Sequence, residues 1–248
     1  MPISVAIIVQ DEADRLPDAI RSVAFADEIV VLDSGSTDGT LEIAEALGAK
    51  VIRTDWPGFV AQKNRAIAET SHPWIFALDA DERVSPALAR AIQDAVATAT
   101  GEAGFKVSRL SWWMGAPLRH GAWYPDRKIR LFRRDQGRWQ GTEPHDLLVV
   151  AGRVGALTGD LHHHPYRNLG EHLATINRYT AVASAELRKA GVRARPWDLL
   201  TRPPLHFVYA YLLRLGFLDG VRGLCVAGLG SVYVLLKWAR LALGEEGR

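Results

Sequence analysis

Four apolar runs punctuate the first eighty residues, at Ile3–Val9, Glu28–Asp33, Lys50–Arg53 and 74–78. Each is too short for a helix and reads as a strand, the run at 74–78 as a buried one. Between them lie stretches of helical spacing. Leu16, Ile20 and Val23 follow Asp11-Glu12-Ala13-Asp14; Leu41, Ile43, Ala44 and Leu47 run up to Gly48; a third helix is expected over about 59–69. Strands alternating with helices in this way predict an α/β fold with a doubly wound, mostly parallel sheet.

Three of these strands run into acids. Asp11 follows the first, Asp33 closes the second, and Asp79, Asp81 and Glu82 follow the fourth. Parallel strands deliver their carboxyl ends to one edge, where ligands bind, so the acids are expected to gather there. Alternation along a strand would turn Asp79 and Asp81 to the same side, able to face one hard cation or one sugar nucleotide. A plainer reading makes Asp81-Glu82, with Ser85, the start of the next helix, whose first turn includes Pro86. No G-x-G-x-x-G follows the first strand and no Walker lysine motif occurs, so a dinucleotide or P-loop site is excluded. Phosphates at this edge would fall to a cation, to basic side chains or to helix N-termini.

Composition adds compartment and charge. The chain has 248 residues, 48% of them hydrophobic and 23% charged, enough for a sizeable core. Cys225 is the single cysteine, which excludes an intramolecular disulfide and a cysteine-rich zinc site and fits a reducing, cytosolic location. The first residues read as a strand rather than a signal peptide. The net charge of +2 is uneven: nine Lys or Arg against two acids between Arg188 and Arg240 make that segment +7 and leave −5 elsewhere. Because this positive charge is interleaved with apolar helices, an anionic membrane surface is favoured over nucleic acid.

Several segments carry a family resemblance: Ile3 to Val9 with Asp11-Glu12; Ile29 to Asp33 with Ser34-Gly35-Ser36-Thr37-Asp38; Gly58-Phe59-Val60-Ala61-Gln62-Lys63-Asn64; and Leu78-Asp79-Ala80-Asp81-Glu82-Arg83. Further along come Arg119-His120-Gly121-Ala122-Trp123-Tyr124-Pro125-Asp126, Ile129 to Arg134, Glu143-Pro144-His145-Asp146 and Leu215 to Gly220. In this order they resemble glycosyltransferase family 2 enzymes of the GT-A fold, and among them the bacterial lipopolysaccharide-core β-glucosyltransferases. The resemblance implies a UDP-sugar donor, a glycolipid acceptor and a divalent cation, Mn²⁺ or Mg²⁺. It also implies roles: Asp11 and Asp33 along the nucleotide, Asp33 near the base, Lys63 near the uracil or ribose, Asp79 near the ribose, and Asp81 on the metal. Inverting transfer needs a base for the acceptor hydroxyl. The resemblance puts it at the acid after a histidine, here Asp146 where the subgroup more often has Glu, with Glu143 as the alternate. His163, within Leu161-His162-His163-His164-Pro165, is similar to a histidine that completes the metal shell, while His162 and His164 are expected to be surface or acceptor-side groups.

The remaining features are read from the residues. Trp112, Trp113, Arg119, His120, Trp123, Tyr124, Arg127 and Lys128 offer ring faces for sugars and cations for phosphates, as an acceptor wall would. Trp112 and Trp113 have core packing as their other reading, and for Trp112 it is the favoured one. Arg130, between Ile129 and Leu131 on a strand, is a candidate contact to the diphosphate. The domain division expected is 1–167 for catalysis and 168–248 for amphipathic helices. In the latter, Leu169–Lys189 is one helix, Pro196, Pro203 and Pro204 are expected to break the chain, and 205–218 and 221–243 follow. The longest uncharged run, 223–236, has 14 residues, short of the ~20 that span a bilayer. These helices are expected on the inner face of the cytoplasmic membrane or in a homodimer contact. A catalytically impaired carbohydrate-binding scaffold of the same fold is the alternative to an enzyme.

Overall fold

The computed structural model describes residues 1–141 and 146–244. The chain begins with β1 (Ile3–Val9), α1 (Leu16–Ser22), β2 (Glu28–Asp33), α2 (Thr40–Ala46), β3 (Lys50–Arg53), α3 (Phe59–Ala68) and β4 (Trp74–Asp79). It continues with β5 (Glu82–Val84), α4 (Pro86–Thr98), β6 (Glu102–Trp113), β7 (Ala116–Pro117), β8 (Asp126–Arg133), β9 (Gly137–Gln140), β10 (Leu147–Val150) and β11 (Arg153–His163). The helices α5 (Leu169–Lys189), α6 (Pro196–Phe207) and α7 (Gly220–Leu243) complete it. Two compact units result: Met1–Arg109 with Asp126–His163, and Leu110–Pro125 with His164–Arg248. The acceptor-wall stretch 110–125 therefore packs with the C-terminal helices, although it precedes 167 in the chain.

The first unit is built on the sheet order β3-β2-β1-β4-β8-β6-β11-β5. β3, β2, β1 and β4 are parallel, joined by the crossover helices such pairing requires, and β8 then runs antiparallel to β4 and β6. The alternation expected of a strand covered on both faces is visible in β1. Ile3, Val5, Ile7 and Val9 enter one core with Leu16, Ile20, Phe76, Leu88 and Ile92, while Ala6 enters the other with Leu32, Ala66, Ile75 and Trp139.

The helix after β5 is started by Ser85, whose hydroxyl accepts from Leu88 N at 3.3 Å, with Pro86 in the first turn. Glu82 has no part in that cap: it lies in β5 and is fully buried. The chain also turns at Ala80-Asp81 before β5 begins, so the alternation that would align Asp79 with Asp81 ends at Asp79.

In the second unit Pro203 and Pro204 do not break the chain; both lie inside α6, which continues into a π-helical turn, Val208–Leu213. Proline's φ suits a helix, and the carbonyls that its missing N–H leaves unpaired are those of the half-buried Leu199 and the 75%-exposed Leu200, within reach of water. Gly223 and Gly230 allow close approach of helices, since a Cβ would meet Gly216 O at 1.8 Å and His206 Nε2 at 2.5 Å.

Gly159 offers a direct test of packing between β11 and α4. Its φ is +89°, and a Cβ there would lie 2.5 Å from Leu88 N. Gly159→Ala is expected to destabilise the protein by about 2–4 kcal/mol, measured by urea unfolding, because strain and a backbone clash act together.

Candidate active site

The sheet register sets the frame of the site. Val9 pairs with Asp33 on one side of β1 and Ile8 with Asp79 on the other, so both acids leave the sheet at the same edge. Asp33 is buried and accepts from Gly35 N at 2.9 Å, from Ser36 N at 3.1 Å and from the Ser36 hydroxyl. Its carboxylate thereby shapes the glycine-rich turn after β2. Asp11, at φ 54°, accepts from Thr37 N at 2.7 Å, while its own N–H donates to Ser36 Oγ at 2.9 Å. Glu12 N donates to Thr40 Oγ1 at 2.9 Å, fastening the loop after β1 to the start of α2. Gln62 extends this support from α3, donating to Ser34 Oγ at 2.9 Å and Thr54 Oγ1 at 2.8 Å.

A buried ion cluster occupies the end of β4. Arg130, on β8 and 4% exposed, donates from one guanidinium nitrogen to Asp79 Oδ2 at 2.7 Å and Glu82 Oε1 at 2.6 Å. Glu82 in turn accepts from Asp79 N at 3.1 Å, closing the β4–β5 turn. Arg109 stands 3.7 Å from Glu82 and donates to Asp126 at 2.7 Å. Burial alone would raise the Asp79 carboxyl, but the Arg130 and Lys63 charges outweigh it and hold it well below the usual carboxylate range. Burial raises Glu82 despite Arg130, with the Asp79 charge adding to the rise. Burial would lower Arg130, and its two carboxylates more than offset that, so it remains a cation.

Lys63, on α3, joins this cluster from the opposite side. Its Nζ is 2.7 Å from Asp146 Oδ2, 3.7 Å from Asp79 Oδ1 and 4.2 Å from the Trp139 ring centroid. Asn64 beside it holds Trp139 reciprocally, donating to Trp139 O at 2.9 Å and accepting from Trp139 N at 3.0 Å. Asp146 directly precedes β10; Glu143 and His145 lie outside the described residues.

Asp81 and His163 form a separate pair. Antiparallel pairing sets His163 opposite Glu82, and its Nε2 comes within 3.3 Å of Asp81 Oδ2. Among the described residues no three His, Cys, Asp or Glu gather into a complete metal shell. One carboxylate and one imidazole are nonetheless donors of the types that would hold a Mn²⁺ or Mg²⁺ ion.

In the second unit Trp113 is buried and donates through Nε1 to His172 Nδ1 at 3.1 Å, whereas the half-buried Trp112 stacks on His164 at 5.5 Å. Core packing thus holds for Trp113, whereas Trp112, for which the sequence favours it, is only half-buried against His164. Tyr166 stacks on His172 at 4.0 Å, with Trp123 at 5.7 Å. Asp219 accepts from Arg119 N at 3.2 Å and His120 N at 2.9 Å, and pairs with His120 Nδ1 at 2.9 Å. Arg214 donates to Tyr124 O at 2.8 Å, so the 119–125 loop is tied to the helical segments of its own unit.

Residues overlooked in the sequence are Glu82 as an ion-pair partner, Arg109, Asn64 and Trp139. Asn64 and Glu82 stood within quoted motifs, but nothing local to Arg109 or Trp139 signals that folding brings them to this edge.

Comparison with known proteins gives the family. Residues 4–146 match the model of Glycosyl transferase family 2, and the chain belongs to that family; it is a glycosyltransferase with the GT-A fold. It is 31% identical to the lipopolysaccharide core biosynthesis glycosyltransferase LpsC of Rhizobium meliloti (strain 1021), over 97% of this chain and 92% of that protein. An uncharacterized glycosyltransferase of Rickettsia typhi is 28% identical over 98% of this chain and 87% of its own length. Among solved structures, glucosyl-3-phosphoglycerate synthase from Mycobacterium tuberculosis, in complex with Mn²⁺, UDP and phosphoglyceric acid, is 21% identical, covering 77% of this chain and 79% of that one at a TM-score of 0.48.

Two outcomes follow from the site's electrostatics. Arg130→Met leaves Asp79 and Glu82 buried without their cation, so urea unfolding should show a loss of about 3–5 kcal/mol, partly recovered by adding Glu82→Gln. His172 is buried among aromatic rings, and burial pushes its pKa down to about 4 from 6.5. The unfolded chain therefore binds the proton first, and stability from neutral His172 is full above pH ~6.5 and lost as pH falls toward ~4. The drop in Tm across that window should shrink in His172→Gln.

Proposed function

We infer that the protein is an inverting, metal-dependent glycosyltransferase that moves a sugar, glucose in the first instance, from a UDP-sugar to a lipopolysaccharide-core or related glycolipid acceptor. The observation that carries this reading is the 3.3 Å approach of His163 to Asp81, beside the cluster of Asp79, Arg130 and Lys63 at the carboxyl edge of the sheet. Asp81 and His163 would hold the cation, which when bound neutralises charge growing on the diphosphate as it departs. Asp11 and Asp33 fix the loops that receive the nucleotide, and Asp79, kept ionised by its cations, is suited to accept hydrogen bonds from ribose hydroxyls. Asp146 is the base for the acceptor hydroxyl.

The acceptor and the location are read from the second unit. Trp112, Trp123 and Tyr166 offer ring faces for sugars, and Arg119 is a cation for phosphate. Exposed apolar side chains concentrate there, with Leu200 at 75%, Leu213 at 71%, Val221 at 76% and Leu243 at 81%. The segment Gly216–Leu243, which contains an 18-residue stretch of mean hydropathy 1.4, is long and apolar enough to cross a membrane by length and composition alone, more than its 14-residue uncharged run suggests. Gly223, Ala227, Trp238 and Leu241 are nevertheless buried, and Arg222, Lys237 and Arg240 interrupt the segment. That pattern favours helices lying on the anionic inner face of the cytoplasmic membrane, where a glycolipid acceptor resides.

Purified protein should release UDP from a UDP-sugar in the presence of Mn²⁺ or Mg²⁺, and Asp81→Asn should lower that turnover by about a hundredfold or more. Absence of UDP release across a panel of UDP-sugars with either metal would sink the reading.

A further inference from the structure

α3 presents two consecutive side chains to the hairpin formed by β9 and β10. Asn64 fixes the backbone of Trp139 with two hydrogen bonds, at 2.9 and 3.0 Å. Lys63 holds the second strand at the same end of the hairpin: Asp146 immediately precedes Leu147, which pairs with Gln140 next to Trp139. The Lys63 ammonium is largely enclosed, its side chain 13% exposed, and its short contact is with Asp146 at 2.7 Å, against 3.7 Å for Asp79. The Trp139 ring covers it at 4.2 Å. A charge-assisted bond of that length, sheltered from water, restricts where the carboxylate can sit far more than a surface ion pair would.

We propose that Lys63 is a positioning residue that acts through Asp146, setting the carboxylate where it can take the proton of the acceptor hydroxyl. The inference rests on the reading of Asp146 as that base. In the step it serves, the acceptor oxygen bonds to the anomeric carbon, the bond from that carbon to the diphosphate breaks, and the hydroxyl proton goes to the Asp146 carboxylate. Lys63 stays protonated throughout. Asp79 gives the same ammonium a second anchor on β4, so the base is referred to the strand that also ends at the donor edge. Direct contact of Lys63 with the uracil or ribose, the role implied by family resemblance, predicts different kinetics: loss of donor affinity rather than of turnover.

A double-mutant cycle separates the two. Steady-state rates would be measured for wild type, Lys63→Met, Asp146→Asn and the double variant, with a UDP-sugar donor, its metal and a glycolipid acceptor. Thermal unfolding would establish that each variant is folded. Lys63→Met is expected to lower kcat by about tenfold to a hundredfold, as misplacement of a reacting group does, with donor KM within about twofold of wild type. In the Asp146→Asn background the same substitution should change kcat by less than about twofold. Lys63→Arg, which keeps a cation over Asp146, should retain more turnover than Lys63→Met and provides a second variant should the methionine form be unstable. A raised donor KM with unchanged kcat, or losses that multiply in the double variant, would overturn the link while leaving the glycosyltransferase reading intact. Full kcat in Asp146→Asn would overturn the base assignment and the proposal with it.

Discussion

A guanidinium held away from water between two carboxylates is the constraint on which the rest of this site depends. Arg130 comes from β8, Asp79 from the end of β4 and Glu82 from the start of β5, so one cation ties three strands together. Removing Arg130 would leave two neighbouring carboxylates buried without their shared cation, which is why such a cluster resists loss of its centre. The arrangement also leaves Asp79 ionised and directed, because Arg130 takes one of its oxygens while Lys63 stands near the other. Glu82, accepting from Asp79 N, sets the turn that releases Asp81 toward His163. Two acids two residues apart thus acquire different partners and different work.

The loops around this cluster are held by side chains rather than by regular structure. Asp33 saturates the N–H groups of its own turn, Asp11 reaches across to Thr37, and Gln62 ties Ser34 to Thr54. Strand ends in a parallel sheet have no further ladder to pair with, so their backbone groups need such partners. A site built this way has its polar groups already oriented, which lowers the ordering cost of binding a ligand.

The second unit follows another logic. Its helices pack through small residues, Gly223 against Gly216 and Gly230 against His206, and leave many leucines facing outward. Large exposed apolar surfaces edged with arginine and lysine are what an interfacial helix presents to anionic lipid.

Much of this could be read directly from the chain. The strands at Ile3–Val9, Glu28–Asp33 and Lys50–Arg53 and the helix at Leu169–Lys189 occur where hydrophobic periodicity places them, because burial on one or two faces leaves a local, repeating signature. That Asp33 and Asp79 share one edge followed from parallel topology alone. The roles of Glu82, Arg109 and Trp139 could not be read in this way, nor could the continuity of the helix through Pro203 and Pro204. Arg130 and Glu82 are 48 residues apart and Asn64 and Trp139 are 75 apart, and no local pattern records such a meeting. The amino-acid sequence by itself determined the sheet and the edge where its acids collect, since these depend on periodicity and strand direction. The tertiary structure alone decided which cation each acid meets, since a charge partner is chosen by distance in space.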